Sequence, residues 1–439
     1  WLWGFYASVE GPTENLPVWE APPTPTPLPT NTPTPTPTLP PDLVLPASPQ
    51  LLGSFAPLVA DLYYIRHGRL NIWLAEGSHS EIPLLAEDNF AEVHSYRITG
   101  DGRYAVYVTT TGQLYALDRA TWEQTFIPTS GYLIHNHTAH FEINRDGSHI
   151  IYIAWGVQPS SASAPQNNAN SGTILAIDTH TPHQTQTVIG YCQGNSDIPC
   201  SGFRISPDET RLAYSDSLGV WMVPIHGGEA QRIAAHPGSD PYTELLWSGN
   251  GNWLLLRNQS LEIYLYENVE ADPASTVFNL CVQPCSIESQ WAAEKLWFII
   301  NYGEQGCLQF VDPNQALEGQ VGVTQPICEV NGFPLQPSGL SHISNQQISI
   351  LNQGCDGECN GLYSGVYTHR EDFSLYPIAL GISKGSVIWT GDGAVFLLID
   401  KVGAAKAVGW ISGNSYWDVS TLLKDGHAFQ WGQPLGLAP

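Results

Sequence analysis

The sequence predicts an all-β fold: an eight-bladed β-propeller with an extended N-terminal arm. Three observations predict it. A strand–turn–strand motif returns again and again along the chain. A second strand follows each return at a near-constant distance. The opening segment has a composition unlike anything after it.

The motif is clearest in Ile98-Thr-Gly-Asp-Gly-Arg-Tyr-Ala-Val-Tyr107, Ile143-Asn-Arg-Asp-Gly-Ser-His-Ile-Ile-Tyr152 and Ile205-Ser-Pro-Asp-Glu-Thr-Arg-Leu-Ala-Tyr214. Trp247-Ser-Gly-Asn-Gly-Asn-Trp-Leu-Leu-Leu256 and Trp389-Thr-Gly-Asp-Gly-Ala-Val-Phe-Leu-Leu398 repeat it. Asp-Gly and Asn-Gly supply the left-handed residue that a tight turn between strands requires. The aspartates at the turn, Asp101, Asp146, Asp208 and Asp392, are expected to bond their own backbone rather than do chemistry. Apolar runs follow, as in strands buried on both faces.

Each motif is followed by another strand, as in Gln113–Asp118, Thr173–Asp178, Gly219–Pro224 and Leu261–Tyr266. Units of four strands recurring about every 42–45 residues are propeller blades. Two degenerate copies, at Gln290–Ile300 and His342–Ile350, fill the long gap before Asp392. The segment Gln158–Ser171 is a Ser/Ala/Asn-rich insertion. At the ends, Asp61–Ile65 with Arg69–Trp73 lacks a first strand, and His427–Gly432 is a first strand without a blade. The last strand is therefore expected to complete the first blade, leaving the ring no open edge. Seven motifs and this closure give eight blades; seven is the alternative.

The repeat resembles the TolB-type β-propeller unit, which is also WD-like. The copy closest to that unit is Arg204–Tyr214 with Gly219-Val-Trp221 and Gly227-Gly228. The resemblance runs from about residue 60 to 435 and implies the fold, not an activity.

The predicted organisation is an aromatic arm over 1–21, a Thr/Pro-rich linker over 22–50 and the propeller over 51–439. Alternating proline excludes helix and sheet ladders and favours polyproline II. Some twenty such residues reach roughly 60 Å. The tract resembles spacers of bacterial cell-surface proteins, and Thr24, Thr26, Thr34 and Thr36 are candidate glycan acceptors. Asn136 and Asn258 open matches to the N-glycosylation pattern. Four of the six residues Trp1-Leu-Trp-Gly-Phe-Tyr6 are aromatic, and Trp19 follows. Trp1, Leu2, Trp3, Phe5, Tyr6 and Trp19 are the candidate anchors by which one copy grips another. A head-to-tail contact of that kind, if it does not close, makes a filament. The chain starts at Trp1 without a methionine, so either removal of a leader or further residues upstream of this sequence is expected.

Composition narrows the partners. The 439 residues carry 41 acids against 16 Lys and Arg, a net charge of −25. Nucleic acid is excluded, because phosphate binding needs a basic surface. No apolar stretch is long enough to span a membrane. The eight cysteines fall into close pairs: Cys192 with Cys200, Cys281 with Cys285, Cys307 with Cys328, Cys355 with Cys359. Such pairing predicts disulfides and an oxidising, extracellular location.

Catalytic signatures are sparse. There is no His-Glu-x-x-His, no Asp-x-Asp-x-Asp-Gly calcium loop and no sialidase box. His135-Asn-His-Thr-Ala-His140 is the single histidine cluster. On one strand His135 and His137 would share a face, with Glu142 the nearest carboxylate, but polar rim histidines are the expectation. No enzyme activity, cofactor or metal is expected. The expected function is that of a structural extracellular protein assembling with its own copies. The alternative is a stalked propeller that binds a glycan, peptide or protein.

Overall fold

In a computed structural model the described residues run from Ala60 to Gly432, with breaks in several connections. The aromatic arm, the Thr/Pro tract and the boundaries at 21 and 50 lie outside them, as do Asn136, Cys355 and Cys359.

The fold is an eight-bladed propeller. Blade 1 holds Asp61–Arg66, Arg69–Trp73, His79–Glu81 and the last strand, Gly426–Gly432. Blades 2 to 5 begin with the strands Val93–Ile98, Phe141–Ile143, Ser201–Ile205 and Tyr242–Trp247. Blades 6 to 8 begin with Ser286–Ala292, Pro337–Ser344 and Ser386–Trp389. Both degenerate motifs thus open real blades, which decides eight over seven. Every pairing within a blade is antiparallel. The first strand of each blade touches the first strand of the next, and the contacts run all the way round to close the ring. Helix is confined, among the described residues, to Pro313–Leu317.

The strands read apolar throughout because both faces of each blade are covered. Alternate side chains of Asp61–Arg66 serve different neighbours. Leu62 and Tyr64 join a core with Val395, Leu397 and Trp417 of blade 8. Tyr63 and Ile65 join one with Tyr96, Ala105 and Tyr107 of blade 2. The pattern repeats at each interface, giving eight separate cores instead of one. Period-two alternation sends each set of side chains to its own interface, so each strand stabilises two interfaces at once.

The recurring turn has one geometry. Thr99, Asn144, Ser206, Ser248 and Thr390 are all buried. Each accepts a hydrogen bond through its side-chain oxygen from the backbone N–H five residues on. Asp146, Asp208 and Asp392 accept from the N–H two residues on, as the sequence predicts; Asn250 does the same. Asp101 lies outside the described residues. The next residue needs positive φ: Gly102, Gly147, Gly251 and Gly393 sit at 70°, 75°, 72° and 71°. In the fourth blade Glu209 takes this place at 58°, a conformation costly for any residue with a Cβ. Its carboxylate accepts from the backbone N–H of Arg145 in the turn of blade 3, tying two blades together.

Ring closure is as the end sequences predict. Gly426–Gly432 runs antiparallel to Asp61–Arg66, pairing Asp61 with Gly432 and Arg66 with Gly426 around one irregularity. Phe429 is buried and stacks on Tyr64 with ring centroids 5.5 Å apart. The Trp431 indole N–H donates to the Ile388 carbonyl at 3.0 Å, joining blades 1 and 8.

Candidate interaction face

Antiparallel strands give the ring two unlike ends. The first-to-second and third-to-fourth strand turns lie at one end. The second-to-third turns and the blade-to-blade connections lie at the other, the loop end.

All three described disulfides are at the loop end. Cys192–Cys200 closes the connection from blade 3 to blade 4 and Cys281–Cys285 that from blade 5 to blade 6. Cys307–Cys328 ties the start of the third strand of blade 6 to the segment that follows that blade. These are the pairs the spacing predicts. The loops span 8, 4 and 21 residues. Chain-entropy arguments give each bridge about 2–3 kcal/mol. Cross-links of this kind form in oxidising compartments.

The exposed apolar side chains gather at the same end. Tyr132 (74% exposed), Leu218, Tyr302, Val402 (87% exposed) and Leu422 all stand on loop-end turns or connections. The opposite end has one, Trp122, among the described residues; Phe126, Val188 and Val277 lie on outermost strands. The disulfides and most of these exposed apolar side chains thus share one end of the ring, on different blades.

The histidine cluster is also here, but differently arranged from the sequence expectation. Ile134–His135 and Thr138–Ala139 form a tight hairpin with His137 at its turn, φ 63°. His135 and His137 therefore do not share a strand face. The His135 ring stacks on Trp155 at 4.4 Å and its Nε2 meets Asn170 Oδ1 at 3.0 Å. No group of three metal-ligating side chains occurs among the described residues. His140 sits half-buried behind them. Burial first, then the charges of Arg204, His135 and Arg97, hold its pKa below the ordinary 6.5. A depressed histidine binds fewer protons folded than unfolded, so acidification through about 6.5 costs stability. The wild-type melting temperature is expected to fall from pH 8 to pH 5 by more than that of His140→Asn. Equal pH profiles for the two proteins would contradict the assignment.

Along the axis, charged side chains alternate with buried ones on the first strands. Glu142 of blade 3 lies 3.8 Å from Arg97 of blade 2 and 3.1 Å from Arg204 of blade 4. Burial pushes the Glu142 carboxyl up; the two guanidiniums pull the other way. In blade 5, Glu244 pairs with Arg257 at 2.6 Å and accepts from Ser289 of blade 6 at 2.7 Å. Sequence inspection missed this network, because its members are spread over separate repeats. Apart from Arg257, which lies on the second strand of blade 5, their common place just before or within the first-strand motif was the available signal.

Two further sequence matches are resolved by position. Asn258 is fully buried; its amide donates to Glu262 Oε2 and its carbonyl accepts from the Glu262 N–H, both at 2.8 Å. The fold leaves no room for a glycan there, which corrects the expectation. Gly381-Ile-Ser-Lys-Gly385 has the Gly-x-Ser-x-Gly spacing of a hydrolase elbow. An elbow turns from a strand into a helix. Here the strand Ser386–Trp389 follows directly; residues 381–384 are outside the described set.

No helix of the described residues is long and apolar enough to cross a membrane.

The sequence matches no protein-family model and no curated protein. Among solved structures, a eukaryotic initiation factor aligns with TM-score 0.53 at 13% identity, covering 86% of this chain and 99% of that one. The dihydro-heme d1 dehydrogenase NirN aligns with TM-score 0.50 at 14% identity, covering 85% of this chain and 75% of that one. TolB from Acinetobacter baumannii aligns with TM-score 0.34 at 14% identity, over 60% of this chain and 63% of that one. The first two likenesses show the fold alone. It is one that serves ligand binding and protein interaction as readily as catalysis.

Proposed function

We propose that this chain is a non-enzymatic extracellular interaction protein, displayed at a cell surface, whose main partner is another copy of itself. The arm residues Trp1, Leu2, Trp3, Phe5, Tyr6 and Trp19 are the anchors, the Thr/Pro tract is the spacer, and the product is a head-to-tail array. The observation that carries this is the stapled loop end, where exposed apolar side chains collect on a protein otherwise strongly acidic. Such a surface supports contact with an apolar partner, and the segment Trp1-Leu-Trp-Gly-Phe-Tyr6 is apolar in composition.

Light scattering and electron microscopy of the full chain against a chain lacking residues 1–20 test this. The full chain is expected to form regular polymers. The shortened chain is expected to stay monomeric with an unchanged melting temperature. Polymers formed equally well without the arm would overturn the reading.

A second reading is a stalked propeller that captures a glycan, peptide or protein. Arg97 and Arg204 favour it: their side chains are 37% and 51% exposed around Glu142 near the axis. A monodisperse full chain that binds an anionic ligand, and loses it in Arg204→Ala, would support that reading over assembly.

A further inference from the structure

A cleft of about 510 Å³ opens between blades 3 and 4. One wall is Thr187–Gln193, the outermost strand of blade 3. The other comes from Asp216, Leu218 and Trp221 of blade 4. Its volume lies in the ~300–1,000 Å³ range of small-ligand sites.

The walls combine two kinds of surface. Tyr191 and Gln193 stand two apart on one strand, so their side chains turn the same way. Both are half-buried and both line the cleft. Among the described residues, neither the Tyr191 hydroxyl nor the Gln193 side-chain amide has a protein partner. Each group can both donate and accept. Apolar surface lies beside them: Val188 and Leu218 are 48% and 46% exposed, and Trp221 is half-buried. The Trp221 indole N–H donates to Asp216 at 2.8 Å, which fixes the ring. A ring already held loses little freedom when a ligand packs on it.

Charge and backbone narrow the ligand. No Lys or Arg is among the described residues that line the cleft. An anion therefore finds no counter-charge there, on a chain of net charge −25. The one carboxylate, buried Asp216, is engaged by the Gln193 N–H at 3.1 Å and the Leu218 N–H at 2.8 Å as well as by the indole. A peptide would bind by adding a strand to the outer edge of Thr187–Gln193. Blade 4 already occupies that edge. The Tyr191 carbonyl accepts from the Tyr214 hydroxyl at 2.9 Å. The Gln193 carbonyl accepts from the Ser217 N–H at 2.9 Å and from the Ser217 hydroxyl. What stays open is a pair of neutral hydrogen-bonding side chains next to aromatic and aliphatic surface.

We infer that this cleft binds a neutral sugar ring of a glycan. A pyranose carries C–H groups on its flat face and hydroxyls around its rim. The C–H face packs on aromatic surface, and the hydroxyls meet the Gln193 amide and the Tyr191 hydroxyl. The assignment rests on the ligand-capture reading above and deepens it by naming the ligand class. It needs neither the arm nor the axial arginines.

Isothermal titration calorimetry on the full chain tests it. The probes are cellotetraose, mannotetraose and chitotetraose, with a hyaluronan tetrasaccharide as the anion and blocked tetra-alanine as the peptide. At least one neutral tetrasaccharide is expected to bind. Tyr191→Phe and Gln193→Ala are each expected to weaken it roughly tenfold, the worth of one good hydrogen bond. The melting temperature should hold in both variants, because neither group has a protein partner to lose. Arg204→Ala should bind the neutral saccharide as the wild type does. Saccharide binding that ignores both cleft variants, or binding of tetra-alanine alone, would overturn the assignment. If only the hyaluronan tetrasaccharide binds, and Arg204→Ala loses it, the cleft is wrong and ligand capture stands. If no probe binds, the cleft and the capture reading fail together.

Discussion

Arg119→Met is expected to destabilise the propeller by about 3–5 kcal/mol, the largest effect of any single charge replacement proposed here. The Arg119 and Asp61 side chains are 4% and 3% exposed and make a direct ion pair between blades 2 and 1. Asp61 also accepts the Ala75 N–H at 2.7 Å, so its carboxylate is fixed at the start of the strand Asp61–Arg66. The Arg119 guanidinium lies 5.6 Å from the Tyr63 ring and 5.7 Å from the Trp122 ring. Methionine fills the space but leaves a buried carboxylate without its cation. That loss, rather than the net value of the pair, sets the size of the effect. The control is Arg103→Met. Arg103 pairs with Asp118 at 3.0 Å but is 49% exposed, and a loss under about 1 kcal/mol is expected. Urea titration followed by tryptophan fluorescence reads both. Similar midpoints for the two variants would show that Asp61 is relieved in some other way.

Phe429→Ala is expected to cost about 3–5 kcal/mol, as large-to-small changes in a packed core do. Phe429 is 4% exposed and belongs to the core shared by blades 8 and 1, with Leu62, Tyr64 and Trp417. The cavity would open beneath the strand that closes the ring. Truncation after Asp425 removes that strand altogether and exposes the whole edge of Asp61–Arg66. Aggregation instead of a shifted melting curve is expected for the truncated chain. Calorimetry on Phe429→Ala and size-exclusion chromatography on the truncation check the pair. A monomeric truncated chain with wild-type stability would mean that Gly426–Gly432 contributes nothing to closure.

The turns were legible in the sequence because their signal is local. A small polar residue, an Asp or Asn and a Gly within five positions determine both the bend and its hydrogen bonds. The same locality made the disulfides readable, since Cys192 and Cys200, or Cys281 and Cys285, are near in sequence as in space. The degenerate copy at Gln290–Ile300 kept its strands while losing its turn residues: Ala292 pairs with Lys295 across a two-residue turn, with Glu294 at φ 57°. What stayed hidden depends on the assembled ring. Arg119 and Asp61, 58 residues apart, look like two ordinary surface charges until blades 1 and 2 pack. Asn258 reads as a glycan acceptor until its amide is seen turned inward. The cleft between blades 3 and 4 has no sequence signature, because its walls come from different repeats.

Closure has a kinetic side. The Tyr96 hydroxyl donates to the Ala428 carbonyl across 332 residues of chain. Bringing such distant segments together costs about 5 kcal/mol in loop entropy beyond the constant for any loop. Contacts of this span also mark slow folding. A chain growing from its N-terminus can assemble blades in order, but the inner edge of Asp61–Arg66 must wait, unpaired, until synthesis has passed residue 432. The ring is therefore finished only as a late event, by its last strand, whatever the speed of the blades before it.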